Sequence, residues 1–197
     1  MKKLSDAFAF IFSDDDWFNK VLVGGLYLLL APFLFGYIMI LGFQVELMKR
    51  ISNHETGMPM WRNFRSVFNS GTKAGIVSFF YLGCIVLFLL VLQIPLLSKT
   101  SFAVLLIAHF LWNPLLLVHL SRTESFRSCF NPIAISSPVV SRLPEYISAV
   151  IFSTLLISSA ALFGWMWIVV GWTLLIFLAM LVQTHLFTQL YLDNHSV

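Results

Sequence analysis

The sequence predicts an all-α membrane protein. The expected architecture is a helical bundle of four clear spanning helices, preceded by a short N-terminal helical hairpin or single kinked helix and accompanied by interfacial amphipathic helices. Three observations carry this fold class. The 197 residues are 59% hydrophobic and only 11% charged, with mean hydropathy +0.88, whereas a soluble domain is about 25% charged. Several apolar runs approach the roughly 20 residues that a helix needs to cross a hydrocarbon core. Two Arg- and Lys-bearing segments lie between them, separated by two of those runs, as loops on one side of a bilayer would be.

Composition also limits the chemistry. A net charge of +3 and a pI near 9.0 would point weakly to nucleic acid in a soluble protein. Here the Lys and Arg sit in loops, where they orient the chain and meet anionic lipid headgroups. No nucleic-acid partner is expected. Cys84 lies in an apolar run and Cys129 in a basic loop, with no CxxC, so no disulfide framework is expected. The start, Met1-Lys2-Lys3 followed by AFAFIF, has too short an apolar run for a signal peptide. Asp14-Asp15-Asp16 stand where a small-residue cleavage site belongs, so the segment is read as retained.

Residues 3–12 suit a short interfacial helix with Leu4, Phe8 and Phe12 on one face, or else a disordered tail. Asp14 to Asp16 fit the N-cap and first turn of the next helix, and Trp17 and Lys20 fit the headgroup level. Residues 17–48 admit two readings, one long helix kinked at Pro32 or a hairpin of helices 17–31 and 33–49. Each arm would reach roughly 23–26 Å, a little short for a core of about 30 Å. Pro32 is awkward inside a helix and favourable at the first position of a new one, so the hairpin is preferred.

The stretch from Lys49 to Lys73 is the most basic of the chain. Pro59 can open a short helix in which Trp61, Phe64, Val67 and Phe68 recur at spacings of three and four. Arg62 and Arg65 lie between them, which makes a basic amphipathic helix. Such a helix lies on a membrane surface or docks a partner. Residues 74–97 form a spanning helix that opens on a GxxxG, Gly71 and Gly75, with Gly83 further along. These small residues are assigned to helix packing within the chain.

Residues 101–121 form the next span. His109 and Asn113 share its face, and Pro114 should kink it and free a carbonyl. In the second loop, Pro132, Pro138 and Pro144 argue against one continuous helix. The piece 132–140 is apolar enough to lie at the interface or fold back onto the bundle. Residues 146–163 and 165–190 read as two further spans with a turn at Phe163-Gly164-Trp165, where Trp165, Trp167 and Trp172 form an aromatic belt.

Charge sets the expected orientation. The loops 50–73 and 122–145, with Lys49 at the edge of the first, hold eight of the twelve Lys and Arg residues. The positive-inside rule makes both loops cytoplasmic, in a bacterial inner membrane, with the C-terminus on the same side. The hairpin reading puts the N-terminus there too, in agreement with Lys2, Lys3 and Lys20.

One group of residues resembles a known family: Gly36-Tyr37, then Gly57-Met58-Pro59-Met60-Trp61, Phe64, Phe68 and Gly71. The family consists of prokaryotic integral membrane proteins known only as a domain of unknown function, number four thousand and thirteen. The resemblance covers roughly the first half of the chain and implies a multi-spanning bundle without a known activity. One departure is Arg62-Asn63, where the family usually has acids after the tryptophan.

The functional expectation is an accessory or scaffold subunit of a larger membrane complex, without catalytic activity of its own. Its partners would be the lipid bilayer and other membrane subunits, met through Pro59, Trp61, Arg62, Phe64, Arg65, Phe68, Arg122, Arg127 and Arg142. No HxxxH, GxSxG or phosphate loop is present, so no cofactor, metal site or catalytic residue is expected. Intramembrane polar residues such as His109 and Asn113 are functional hypotheses by default. They carry the alternative of a small transporter or channel, in which Gln93, Gln183 and His185 would join them along a polar path. A membrane-shaping role for the short hairpin and amphipathic helix is the other alternative.

Overall fold

The structure, a computed structural model, describes residues 2–91, 99–140, 142–164 and 168–192. Among the described residues there is no strand. The helices are α1 (Lys2–Phe12), α2 (Trp17–Leu29), α3 (Phe35–Ser52), α4 (Phe64–Val91), α5 (Lys99–Thr123), α6 (Pro132–Val140), α7 (Leu143–Gly164) and α8 (Ile168–Leu192). Short 3-10 turns stand at Ala31–Phe33 and Arg127–Phe130. Among the described residues three segments are long and apolar enough to cross a membrane, Phe64–Val91, Leu143–Phe163 and Gly171–Leu192, consistent with a multi-pass membrane protein. The remaining expected span, 101–121, falls in α5, whose side chains at 102–108 and 110 lie outside the described residues. Gln93, Pro95, Trp165, Trp167 and the tail from 193 also lie outside them.

Two helices form the centre. α3 is buried on almost every side from Met39 to Met48, and α8 is buried through most of Phe177 to Tyr191. A helix apolar all round needs neighbours on all sides, and α3 receives α2, α4, α5 and α8. α7 packs chiefly on α8 and leaves Ile151, Leu155, Leu162 and Phe163 exposed, an outer face suited to lipid tails.

The α3–α4 contact depends on glycine. A Cβ on Gly42 would overlap the Val67 carbonyl oxygen, and one on Gly71 would overlap the Ile38 carbonyl oxygen. The two backbones therefore meet with no side chain between them, as small residues allow in apolar surroundings. Of the expected packing glycines, Gly71 is placed at a helix crossing. A Cβ on Gly75 would make only ordinary contact with Ile38 and Leu41, and Gly83 faces open space. The sequence pattern drew attention to Gly75, but the partner of Gly71 is Gly42 on the neighbouring helix.

Two local expectations change, at residues 59–68 and on α1. Residues 59–68 do not form a separate amphipathic helix: the helix starts at Phe64 and runs unbroken to Val91. Pro59 to Trp61 instead lie in an irregular loop, because Met58, Pro59 and Trp61 are drawn inward. Between α2 and α3 the helix breaks at Leu30 to Leu34, where Pro32 sits in the 3-10 turn and Leu34 takes φ +57°. On α1 the fully buried residues are Ala7 and Ile11, while Phe12 is 46% exposed. The buried face is thus turned one position from the expected Leu4–Phe8–Phe12 stripe, because α1 packs on α8. In the second loop, α6 folds back onto the bundle with Ile135 and Val139 buried.

Gly42→Ala and Gly71→Ala are each expected to lower stability by about 1–3 kcal/mol or more, as overpacking does, while Gly83→Ala is neutral. Thermal denaturation of the three variants in one detergent checks this order.

Candidate functional site

The first constellation lies where α1 ends. Asp14 is 8% exposed and Lys20, in the first turns of α2, is also 8% exposed. The Lys20 ammonium donates to both Asp14 carboxylate oxygens, at 2.9 and 2.7 Å, and to the Met58 carbonyl at 3.0 Å. Asp14 Oδ2 accepts the Met58 N–H at 2.6 Å, and its Oδ1 accepts the Asp16 N–H at 3.0 Å. The carbonyl of Lys20 accepts Trp61 Nε1 at 2.9 Å. Every strong donor and acceptor of the pair thus has a partner, which burial of charge requires.

Gly57 makes the approach possible. It adopts φ +81°, in the region that favours glycine, and a side chain there would press on the Asp14 carboxylate at 3.0 Å. The Trp61 ring then stacks on Phe43 with centroids 4.2 Å apart and meets Tyr27 at 4.8 Å. The expected headgroup role of Lys20 is therefore replaced by a buried ion pair, and Asp14 holds a loop where helix capping was expected; Asp16 makes no side-chain cap either. Asp14 and Lys20 were not singled out as site residues. The available signal was an acid and a lysine beside an apolar segment, with a GxPxW segment needing a backbone partner.

The second constellation is the charged end of the bundle. Pro59 is buried and Trp61 half-buried, so neither offers the partner surface expected of it. Met60, Arg62, Phe64, Arg65 and Phe68 do face outward, with Phe64 and Phe68 stacked at 5.8 Å and both set against Phe35. Lys49 bridges Glu124 at 2.9 Å and approaches Glu46 at 3.7 Å, joining the edges of the two basic segments. Glu46 also accepts hydrogen bonds from Ser66 and Ser70, at 3.1 and 2.6 Å. The Lys49 hydrogen bond and charge hold the Glu124 carboxyl below its ordinary range. Arg122 sits over the Tyr191 ring at 5.3 Å, Arg127 is exposed, and Arg142 pairs with Glu145 at 3.7 Å. Burial pushes the Cys129 thiol up, which makes it a poor thiolate nucleophile.

The third is a cavity of about 150 Å³ among α3, α5, α7 and α8. His109 and Asn113 line it together with Tyr37, Gln44, Gln183 and Thr184, over apolar walls that include Ile40, Leu117 and Phe187. Asn113 Oδ1 accepts from Ser78 at 2.9 Å, and Gln44 Nε2 donates to Thr184 Oγ1 at 3.2 Å. Of the expected polar path, His109, Asn113 and Gln183 are brought together. His185 points elsewhere, against the Phe10 ring at 5.3 Å, and Gln93 lies outside the described residues. Gln44 was missed in sequence because a single Gln in the apolar run 33–49 has no periodic partner. Pro114 sits within α5, and the Tyr146 hydroxyl donates to the Leu111 carbonyl in the turn before it.

A family model described as a protein of unknown function (DUF4013) matches residues 25–182. No curated protein and no solved structure matches. Gly57, Pro59, Trp61 and the cavity amides Gln44 and Asn113 fall within that span, and the third cavity amide, Gln183, lies one residue past its end. Asp14 and Lys20 precede it.

Burial alone would raise the Asp14 pKa, but the Lys20 ammonium and the N–H groups of Met58 and Asp16 outweigh it and hold the carboxyl below 3.8. Its stabilising contribution is therefore complete above about pH 4 and is lost as pH falls through the lower folded value. Removing one partner of such a pair costs about 3–5 kcal/mol. Asp14→Ala and Lys20→Ala should each show that loss, and the acid-induced drop in thermal midpoint below pH 4 should be smaller in Asp14→Ala than in the unaltered protein.

Proposed function

Because the chain belongs to the DUF4013 family, whose function is unknown, its role must be read from its own residues, and we propose that it is an integral membrane accessory or scaffold subunit of a larger membrane complex. In this reading it is not an enzyme. It sits in a bacterial inner membrane with four spans and the α2–α3 hairpin, its basic segments and C-terminus cytoplasmic. The orientation rests on the charge bias of the loops. Anionic headgroups meet Lys73, Arg122 and Arg127 at that face.

One observation carries the reading: the loop from Asn53 to Asn63 is held by the buried Asp14–Lys20 pair through Met58 and Trp61. The clamp fixes the base from which Met60, Arg62, Phe64, Arg65 and Phe68 project. A surface ordered before binding avoids part of the entropy cost of association. Arginine and aromatic side chains on such a surface are the types enriched at protein interfaces.

Mild-detergent purification of the tagged protein should recover one defined membrane partner. Arg62→Glu/Arg65→Glu should weaken recovery at least tenfold with unchanged expression and thermal midpoint. Isolation of the protein only as a monomer, or full recovery of the partner with the charge-reversed pair, would count against the proposal.

A further inference from the structure

The cavity among α3, α5, α7 and α8 has mostly apolar walls, onto which the side-chain amides of Gln44, Asn113 and Gln183 open. Gln183 is 8% exposed, and among the described residues its carboxamide meets no hydrogen-bonding partner although it lines the cavity. An amide that opens on a cavity without a protein partner takes its hydrogen bonds from whatever fills the cavity. Gln44 spends its Nε2 on Thr184, and its carboxamide oxygen engages no described side chain. Asn113 receives Ser78 on Oδ1, which leaves its NH2 as donor. Donors and acceptors thus converge on one space from three helices.

We propose that this cavity is a binding site for a small neutral solute carrying both hydrogen-bond donors and acceptors. Among the described lining residues there is no Asp, Glu, Lys or Arg, and His109 and the Tyr37 phenol are the ionisable groups. An ion would therefore shed its hydration without meeting a countercharge. The volume of about 150 Å³ suits a guest on the order of six non-hydrogen atoms, since an apolar cavity of similar size holds benzene. The apolar walls at Ile40, Leu117 and Phe187 cover the guest's carbon faces while the three amides take its polar groups. This site is independent of the accessory-subunit reading, because it lies inside the bundle and away from the outward-facing Arg62–Phe68 surface.

The test uses the full chain purified in glycerol-free detergent and saturation-transfer NMR. Glycerol and N-methylacetamide serve as neutral probes, and methylammonium and acetate as charged ones. Saturable binding of at least one neutral probe, and of neither ion, is expected. Gln183→Met keeps the side-chain length and removes the amide. It should weaken binding at least tenfold while the thermal midpoint stays the same or rises, because the amide had no protein partner. Asn113→Leu provides an independent second variant, and Gly83→Ala, in open space, should bind as the unaltered protein does. Absence of saturable binding by both neutral probes would show a cavity filled by water only and overturn the proposal. So would unchanged binding in Gln183→Met, or ions binding as well as the neutral probes.

Discussion

Asp14 and Lys20 meet at 2.7 Å, with side chains 6% and 9% exposed, and their contact organises one end of the molecule. A carboxylate and an ammonium cannot remain this far from water unless nearly all their hydrogen-bonding capacity is used. The backbone of Met58 supplies the missing donor and acceptor, so the loop must come to the pair. Gly57 lets it come close, and Trp61 closes the arrangement by binding the Lys20 carbonyl and stacking on Phe43. The pair thereby joins α1, α2 and the segment before α4. A buried ion pair is poor evidence for net stability, and its value here is positional.

The rest of the bundle is built around close approach. Gly42 and Gly71 bring α3 and α4 together backbone to backbone, and Gly24 and Gly25 on α2 face Phe177 and Leu174 of α8. Where lipid surrounds helices as apolar as these, there is little hydrophobic gain in bringing them together, so dispersion contacts at short range and buried hydrogen bonds carry association. Both appear at the same helices: Gln44 to Thr184 links α3 to α8, and Ser78 to Asn113 links α4 to α5. The cavity lies between these links, where the polar side chains are too many to satisfy one another.

The GxPxW segment shows how a correct pattern can receive a wrong structure. The spacing of Trp61, Phe64, Val67 and Phe68 is helical, and α4 does include the last three. Periodicity could not show that Trp61 belongs to an inward-turned loop, because the residues that draw it in, Lys20 and Phe43, are remote in the chain. Gly75 and Gly83 were legible as small residues in a helix, yet contact at a crossing is a property of two helices, and only Gly71 meets it.

Composition and periodicity alone determined the all-helical class, the apolar segments long enough to span and the break near Pro32, while the motif from Gly57 to Trp61 carried the resemblance to the family. These are local quantities: a propensity, a run length, a missing N–H, a motif. Tertiary structure decided that Asp14 takes Lys20 and Met58, that Gly71 takes Gly42, and that Gln44, Asn113 and Gln183 open on one cavity. The physical reason is common to all three. A buried polar group or a bare backbone is compensated by whatever the fold brings beside it, and most of those neighbours lie tens of residues away along the chain.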